Sequence, residues 1–370
     1  MVEIVDFDAS WDEKIAGLPG SHLLQTFEWG QIKARVGWKA APMIWRDENK
    51  SIQAAALVLT RSMRLLKVGP KISVCYIPRG PMLDWSNSAL RGQVFNDLLA
   101  FARRQKALFI KIDPELKLGF GIPGAEGSSE DPVGQIVIQE MQNSGWRFSS
   151  SQVQFRNTVL LDLNGNEEDW LQRMKQKTRY NMRLAQRSGV TVRAADESEL
   201  PLIYKMYAET SVRDGFVIRS EEYYQDVWQR FMHAEKMTPM VAEFEGQMIA
   251  GLMLFYYGKN AWYLHGMSTG QHREKMPNYL LQWEAMRLAK AKGCEIYDLW
   301  GAPDVFDGKD SMTGVFRFKE GLGGKVLRTC GAWDFVLQPL GFFLYQQVLP
   351  RILALLRRAR KQQTGQELSD

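Results

Sequence analysis

A long basic run in the middle of the chain is the first feature that could do chemistry. Between Leu171 and Ala195 there is no acidic residue. The seven basic residues of this run are Arg173, Lys175, Lys177, Arg179, Arg183, Arg187 and Arg193. Solvated helix faces usually mix both signs of charge, because pairs spaced by four residues then stabilise the helix. Two interpretations therefore stay open: a solvent-exposed face, or a surface that contacts nucleic acid or pyrophosphate.

Two parts of the chain repeat one arrangement of elements that could position such residues. In each, an amphipathic helix with a basic face leads into a short apolar strand that stops at an aspartate: residues 95–113, ending at Asp113, and residues 279–298, ending at Asp298. A pair of strand-like runs precedes each helix, at 41–46 with 52–60 and at 240–244 with 248–257. The repetition predicts two copies of one α/β unit with a cleft between them.

The domain boundaries follow from this repetition. We predict a first domain at residues 1–155, a second at 156–336, and a basic amphipathic C-terminal helix and tail at 337–370. Residues 119–134, rich in glycine, serine and proline, have the strongest loop character in the chain.

Composition limits the class of protein. With 370 residues, 45% of them hydrophobic and 24% charged, the chain is typical of a globular protein with two cores. Its first residues are acidic and lack a long apolar run, which predicts a cytoplasmic protein without signal peptide. Three scattered cysteines predict buried free thiols, and four histidines without ligand spacing predict no metal site.

The repeated unit has the pattern of an acetyltransferase-type (GNAT) fold, but the usual cofactor loop is missing. Such units hold the pyrophosphate of acetyl-CoA on the backbone N–H groups of a glycine-rich loop at a helix N-terminus. The equivalent residues 271–278 contain no glycine, and residues 80–87 of the first copy are no better suited. We therefore expect no cofactor, and in particular no acetyl-CoA.

Eight short strings, in order along nearly the whole chain, resemble those of the Fem (FemABX) peptidyltransferases. They are Gln25-Thr-Phe-Glu-Trp29, Tyr76-Ile-Pro-Arg-Gly-Pro81, Ile112-Asp-Pro114, Lys177-Thr-Arg-Tyr-Asn181, Arg213-Asp-Gly-Phe-Val-Ile-Arg-Ser220, Pro277-Asn-Tyr-Leu-Leu-Gln-Trp283, Tyr297-Asp-Leu-Trp-Gly-Ala-Pro303 and Phe318-Lys-Glu-Gly-Leu-Gly-Gly324. The resemblance implies two tandem GNAT-like domains. It also implies an aminoacyltransferase that moves an amino acid from aminoacyl-tRNA to the stem peptide of a peptidoglycan precursor.

The resemblance also implies roles for individual residues. Lys319 matches a family lysine near the reacting ester, where it would stabilise the oxyanion or the leaving group. Asp113 matches an acidic residue of the cleft, which could hold the incoming ammonium or accept its proton. From the residues alone, Lys319 could instead be a surface lysine, and Asp113 a turn residue before Pro114.

Further matches concern substrate binding. Lys33, Arg219 and Tyr223 match residues that contact the phosphates of the nucleotide-sugar precursor. We also expect Tyr279 and Phe318 to bind substrate. Val217 stands where some members of the family have a hydroxyl residue, which leaves both a lipid-linked and a UDP-linked precursor open.

Some members of the family insert a long coiled coil in the second domain. No heptad repeat appears between residues 160 and 330, which predicts the compact form. We therefore expect tRNA to contact the domain surface through Arg173, Lys175, Lys177, Arg179, Arg183 and Arg187.

The end of the chain combines large apolar residues with a basic cluster, over residues 339–361. It is too interrupted to span a bilayer, and predicts a helix that either docks on its own domain or contacts the inner face of the cell membrane.

The function predicted from the sequence is formation of the peptidoglycan interpeptide bridge, with aminoacyl-tRNA and the precursor as partners. Two alternatives remain open. The acceptor could be another amine, such as a protein N-terminus, a lipid or a small peptide, or the protein could bind tRNA or membrane without catalysis.

Overall fold

A computed structural model describes residues 2–64, 71–310 and 312–348. Its helices are α1 Ser10–Ile15, α2 Phe27–Arg35, α3 Ser88–Arg104, α4 Pro132–Asn143, α5 Glu167–Arg173, α6 Gln176–Arg187, α7 Leu200–Asp214, α8 Glu221–His233, α9 Pro277–Ala291, α10 Thr313–Gly321 and α11 Pro339–Phe343. Short 3-10 turns lie at Leu23–Gln25, Glu197–Glu199 and Arg273–Lys275, and a π-helical turn at Leu344–Val348.

Two sheets form the centre of the described residues. Their strands, in chain order, are β1 Val2–Ile4, β2 Lys39–Arg46, β3 Ile52–Arg64, β4 Lys71–Ile77, β5 Met82–Leu83, β6 Ala107–Ile112, β7 Lys117–Phe120, β8 Ser129–Glu130, β9 Arg147–Phe148, β10 Asn157–Asp162, β11 Thr191–Ala194, β12 Met237–Phe244, β13 Gln247–Tyr257, β14 Asn260–Ser268, β15 Ile296–Asp298, β16 Lys325–Thr329 and β17 Trp333–Val336. The first sheet has the order β1-β2-β3-β4-β6-β17-β9, with β5 beside β3. The second has the order β11-β12-β13-β14-β15-β10-β16-β7-β8.

Both sheets contain the same unit, as the repetition predicted. In the first, antiparallel β2, β3 and β4 lead through α3 to β6, which is parallel to β4. In the second, antiparallel β12, β13 and β14 lead through α9 to β15, which is parallel to β14. A helical crossover between neighbouring parallel strands brings Asp113 and Asp298 to the same relative position in the two sheets. The predicted fold class, a mixed α/β chain with two tandem GNAT-like domains, is confirmed.

The helices begin and end where the local sequence satisfies their free backbone groups. The Thr26 side chain caps α2, Asn87 caps α3 by accepting from the Leu90 N–H at 3.0 Å, and Asn166 with Asp169 forms a capping box on α5. Gly215 closes α7 in the left-handed conformation, at a φ of 76°. Between residues 156 and 336 the longest described helices, α7 and α9, have 15 residues each, which agrees with the predicted compact form.

The two sheets exchange strands. β17, which follows the second unit along the chain, pairs with β6 and β9 in the first sheet. β7 and β8, from the first half, extend the second sheet beside β16. Residues 119–134, expected to be a loop, therefore contain part of this extension and the start of α4. The boundaries at residues 155 and 336 stay a prediction, but neither sheet is built from one continuous stretch.

A shared hydrophobic core joins the two halves. Trp11 and Ile32 from the first half pack in one cluster with Trp228, Phe255 and Trp262 from the second. The Lys236 ammonium adds a polar link, because it binds the carboxylates of both Asp12 and Glu28. The three cysteines are buried and free, as predicted. The halves are thus held by apolar packing as well as by the exchanged strands.

The C-terminal part is only partly described. Phe342 and Tyr345 pack against Phe109, with ring centroids 5.1 and 5.3 Å apart, so α11 and the π-helical turn dock on the first sheet. The rest of the predicted amphipathic helix and tail, residues 349–370, lies outside the described residues. Within the described ranges, no helix combines the length and apolar character that crossing a membrane requires.

Candidate functional site

Three predicted phosphate-binding residues come together where α2 meets α8. The Lys33 ammonium on α2 donates to the Tyr223 hydroxyl at 3.1 Å and lies 4.0 Å above the Trp29 ring. The Arg219 guanidinium, from the segment before α8, lies 4.6 Å from the centre of the Tyr223 ring. Burial, with Arg219 nearby, lowers the pKa of Lys33 to about 8. The two cations therefore face a common space, and an anion bound there would stabilise their charged forms.

That space is a cavity of about 460 Å³, here called the first cavity. Lys33 and Arg219 line it together with Arg61 and Tyr76. Residues 345–347 of the π-helical turn close one side. Its size and its cations suit a sugar phosphate or pyrophosphate group, since arginine can meet two phosphate oxygens at once.

Asp113 lies behind the first cavity, at the end of β6. One carboxylate oxygen accepts from the Tyr76 hydroxyl at 2.7 Å, and the other accepts from the Arg79 backbone N–H at 2.6 Å. Burial raises the pKa of Asp113 to about 6. Only 2% of the residue is exposed, and each carboxylate oxygen already accepts a hydrogen bond within the protein.

Three charged or titratable residues that sequence reasoning missed surround Asp113: Arg79, Glu115 and His22. The Arg79 side chain is buried, donates to the Phe155 carbonyl at 3.0 Å and lies 5.2 Å from the centre of the Trp300 ring. Burial raises the pKa of Glu115 to about 7, although its side chain is 23% exposed. Glu115 is therefore the more accessible carboxylate at this position.

The His22 ring lies beside the Glu115 carboxylate. Its Nδ1 accepts from the Leu24 N–H at 2.9 Å, which places the proton of the neutral ring on Nε2. Nε2 lies 3.7 Å from Glu115 Oε1 and has no hydrogen-bond partner within the described residues. Burial lowers the pKa of His22 well below its usual value, so the ring is neutral. In the sequence, the strings around Tyr76–Pro81 and Asp113–Pro114 could have pointed to Arg79 and Glu115. No sequence pattern pointed to His22.

Lys319 is a buried lysine rather than a surface one. From α10 its ammonium donates to the carbonyl oxygens of Trp300 at 2.5 Å and Gly301 at 2.7 Å. Burial lowers its pKa to about 8, and the charge of Asp298 works in the opposite direction. An ammonium has three N–H groups, so one remains for a further acceptor.

The Trp300–Gly301 turn is shaped to receive this ammonium. Asp298 ends β15, accepts from the Thr158 hydroxyl, and accepts from the Trp300 N–H at 2.7 Å. Trp300 has a φ of 59°, a left-handed conformation that non-glycine residues rarely adopt. This turn aims two successive carbonyls at Lys319.

A continuous set of contacts links the first cavity with Lys319. Tyr76 lines the cavity and bonds Asp113, and Asp113 bonds Arg79. Arg79 lies on the Trp300 ring, and the Trp300 carbonyl accepts from Lys319. Because Tyr76 and Arg79 belong to the first half and Trp300 and Lys319 to the second, the site is built at the junction of both.

Tyr279 and Phe318 form a separate group beside α10. Their rings meet edge to face with centroids 5.0 Å apart. They line a second cavity of about 170 Å³, together with Arg273 and the first residues of α9. The position corresponds to the cofactor loop of the unit, residues 271–278. Phe318 directly precedes Lys319 on α10, so one residue separates the cavity lining from the lysine along the chain.

The structure divides the basic run. Arg173 pairs with Asp162 at 3.1 Å and Lys175 with Glu320 at 2.5 Å, while Arg179 donates to the carbonyls of Leu171 and Met174. Outside the predicted set, Arg193 pairs with Glu199 and Glu243. Lys177, Arg183 and Arg187 are exposed. Half of the predicted tRNA-binding residues thus have partners within the protein.

Comparison with known proteins agrees with this architecture. The model of the FemAB family matches residues 15–247 and 235–349. The lipid II:glycine glycyltransferase of Staphylococcus aureus strain MRSA252 is 25% identical over 95% of this chain and 96% of its own, and the enzyme of strain USA300 is 24% identical over the same shares.

Solved structures support the same fold. A crystal structure of FemX superposes with a TM-score of 0.79 at 20% identity, over 94% of this chain and 99% of the other. L-PGS from Bacillus licheniformis has the fold more distantly, with a TM-score of 0.51 at 14% identity over 96% and 97%. Because the family model covers nearly the whole chain, the chain belongs to the FemAB family and is an aminoacyltransferase.

Proposed function

We propose that the protein transfers an amino acid from aminoacyl-tRNA to the side-chain amine of the stem peptide of a peptidoglycan precursor. The observation that carries the proposal is the set of contacts that joins the Lys33 and Arg219 cavity to Lys319. Such an arrangement offers a cationic site for the precursor and a separate charge for the reacting ester. The names of the glycyltransferase relatives support an acceptor linked to lipid II.

The first cavity would hold the phosphates of the precursor. Lys33 and Arg219 provide two cations within reach of one group, and Tyr223 orients both of them. A bound pyrophosphate would compensate the burial that lowers the pKa of Lys33, so that lysine would be fully protonated in the complex. The same chemistry serves a lipid-linked and a UDP-linked precursor.

Lys319 would stabilise the charge that develops when the amine attacks the ester. The neutral amine nitrogen forms a bond to the carbonyl carbon, and the bond from that carbon to the ribose oxygen breaks. The ribose oxygen leaves as a hydroxyl group, with the proton that the attacking nitrogen loses. With two N–H groups fixed on the Trp300 and Gly301 carbonyls, the third can donate to the oxyanion or to the departing ribose oxygen. The fixed geometry means that this donor needs no rearrangement during the reaction.

Glu115 would take the proton from the incoming ammonium. Its side chain is partly exposed and its pKa of about 7 lies near neutral pH, where a carboxylate is an effective general base. Asp113 would act as a positioning residue, because it holds the Tyr76 hydroxyl and the Arg79 backbone. This division of roles differs from the direct role predicted for Asp113 from the sequence.

A transfer assay tests the proposal. Purified protein is mixed with a panel of charged tRNAs and with either the UDP-linked or the lipid-linked precursor, and the product is followed by mass spectrometry. We expect transfer to the side-chain amine of the stem peptide. Absence of transfer in every combination, or transfer only to a different amine, would overturn the proposal.

Replacement of Lys319 by methionine tests its role. The change keeps the length of the side chain but removes the donor, so we expect kcat to fall by about 10²- to 10³-fold, the effect typical of losing one oxyanion donor. Lys325→Met, which changes an exposed lysine of the neighbouring β16, is the matched control and should retain activity. Thermal unfolding of both variants shows whether they are folded. Equal activity of the folded Lys319 variant and wild type would exclude the role.

A further inference from the structure

The exposed face of α6 carries an aromatic side chain among three cations. Lys177, Tyr180, Arg183 and Arg187 all lie within about one third of the helix circumference, since each residue turns by about 100°. Tyr180 is 57% exposed, although large aromatic residues are usually covered. These four residues are called the α6 stripe below.

The cations of the α6 stripe differ from the rest of the basic run. Among the residues that the structure describes, Lys177, Arg183 and Arg187 have no ion pair. Arg173, Lys175 and Arg193 instead bind acidic residues, and Arg179 binds backbone carbonyls. The run therefore combines a structural group with a group whose charges face solvent.

The α6 stripe leads towards the second cavity. The turn Arg273–Lys275, which adds two further basic residues, packs against α6, and Arg273 lines the second cavity. The other end of α6 is fixed to α10, because the Lys175 N–H donates to the Gly321 carbonyl at 2.9 Å. Basic residues thus continue from α6 to the turn whose Arg273 lines the cavity of Tyr279 and Phe318, and Phe318 directly precedes Lys319 on α10.

We infer that the α6 stripe binds the single-stranded 3′ segment of the donor RNA and directs its aminoacylated end into the second cavity. The inference rests on the proposed function, because that function supplies the RNA. Proteins that bind single-stranded nucleic acid combine cations for the phosphates with exposed aromatic rings on which bases stack. From Lys177 to Arg187 the helix rises by about 15 Å, enough to follow several nucleotides. The alternative polyanions are the precursor pyrophosphate, for which the first cavity already provides cations, and an anionic membrane.

Direct binding of RNA tests the inference without relying on transfer. The affinity of fluorescently labelled, uncharged tRNA is measured by anisotropy at several salt concentrations for wild type and for Arg183→Gln/Arg187→Gln. We expect weaker binding by the double variant. We also expect its logarithmic salt slope to be about 1.4 smaller, since each phosphate contact of a single strand contributes about 0.7. Arg103→Gln/Arg104→Gln, which removes two exposed arginines at the end of α3, is the control of equal charge and should bind like wild type.

The aromatic residue provides a second, uncharged test. Tyr180→Ala should weaken binding of the same tRNA by about 5- to 150-fold, as expected for loss of one stacked base, whereas Tyr180→Phe should bind normally. In the transfer assay, the variants of the α6 stripe should raise KM for aminoacyl-tRNA and leave KM for the precursor unchanged.

Three results would overturn the inference. The first is wild-type RNA affinity in the variants of the α6 stripe, and the second is an equal loss of affinity in the α3 control. The third is loss of binding to anionic phospholipid vesicles with RNA binding unchanged, which would assign the surface to a membrane. Failure of wild type to transfer from any tRNA would instead overturn the proposed function, and the anisotropy measurement distinguishes the two cases.

Discussion

At the scale of single residues, two groups near the Arg79 and Trp300 pair have pKa values close to neutral pH. Lys319 has a pKa lowered to about 8 by burial, and Glu115 has a pKa raised to about 7 by burial. The proposed roles need Lys319 protonated and Glu115 deprotonated. Only between these two values are both conditions largely met.

We therefore predict a bell-shaped dependence of kcat/KM on pH, with its maximum between about 7 and 8. The rate rises as Glu115 loses its proton. It falls as Lys319 and the phosphate-binding Lys33, whose pKa values are both about 8, lose theirs. Glu115→Gln should abolish the acidic limb as well as lower the maximum. Initial rates of transfer from pH 5.5 to 9.5, corrected for spontaneous hydrolysis of the ester, measure the profile. An acidic limb that persists in the Glu115 variant would contradict its role as the base.

The sequence identified part of this site through the family resemblance. Lys33, Arg219 and Tyr223 come together as expected, and Lys319 lies at the centre of the junction. Arg79, Glu115 and His22 were not identified, because burial and a shared location depend on tertiary packing rather than on residue type. The carbonyls that hold Lys319 could not be identified either, since every residue has a carbonyl and only the turn conformation aims it.

At the scale of elements, the contact between α6 and α10 sets the position of Lys319 relative to the α6 stripe. Gly321, the last residue of α10, lies so near Thr178 on α6 that an added Cβ would be 2.6 Å from the Thr178 hydroxyl oxygen. The Lys175 and Glu320 ion pair lies at the same contact. A glycine at this position therefore permits the close approach of the two helices.

Gly321→Ala should lower the free energy of unfolding by about 1–3 kcal/mol, the usual cost of overpacking. Gly314→Ala in the same helix is the control, because its Cβ would meet no atom within 4 Å and should stabilise the helix by up to about 1 kcal/mol. Adding Thr178→Ala to Gly321→Ala removes the clash and should recover part of the loss. Urea denaturation of wild type, Gly314→Ala, Gly321→Ala, Thr178→Ala and the double variant measures these changes. Additive effects of Gly321→Ala and Thr178→Ala would argue against the contact.

Sequence patterns predict helices and strands correctly where a segment is long and periodic. The helices α3 and α9 and the strands that follow them were found from their patterns, because one amphipathic face and one apolar run are enough to define each. Residues 119–134 were expected to be a loop, yet β7 and β8 include part of them. These strands have only four and two residues, and β7 forms through its pairing with β16, about 200 residues later, which no local pattern indicates.

At the scale of the whole molecule, the exchange of strands makes each half depend on the other. The first sheet needs β17 next to β6, and the second needs β7 next to β16. Repetition of the α/β unit correctly indicated two similar units. It did not indicate the exchange, because a four-residue strand such as Trp333–Val336 has no sequence pattern that identifies its partner.

We predict that the chain cannot be divided at residue 155 into two independently folded parts. Fragment 1–155 lacks β17, and a fragment from 156 onwards lacks β7 and β8, so each exposes a sheet edge and part of the shared core. Expressed alone, the fragments should be insoluble or unfold without cooperativity, whereas coexpression should yield a soluble complex. Cooperative unfolding of either fragment alone, followed by circular dichroism, would instead support the boundary as that of an autonomous domain.

The exchanged strands also restrict how the two walls of the site can move. Within the described residues the chain passes between the sheets four times: after β6, between β8 and β9, between β9 and β10, and between β16 and β17. Opening the two halves about a hinge would require a few residues to bend, and here four separate crossings would have to bend together. We therefore expect the first cavity, the second cavity and Lys319 to keep their relative positions when substrates bind, so that the site does not close around them.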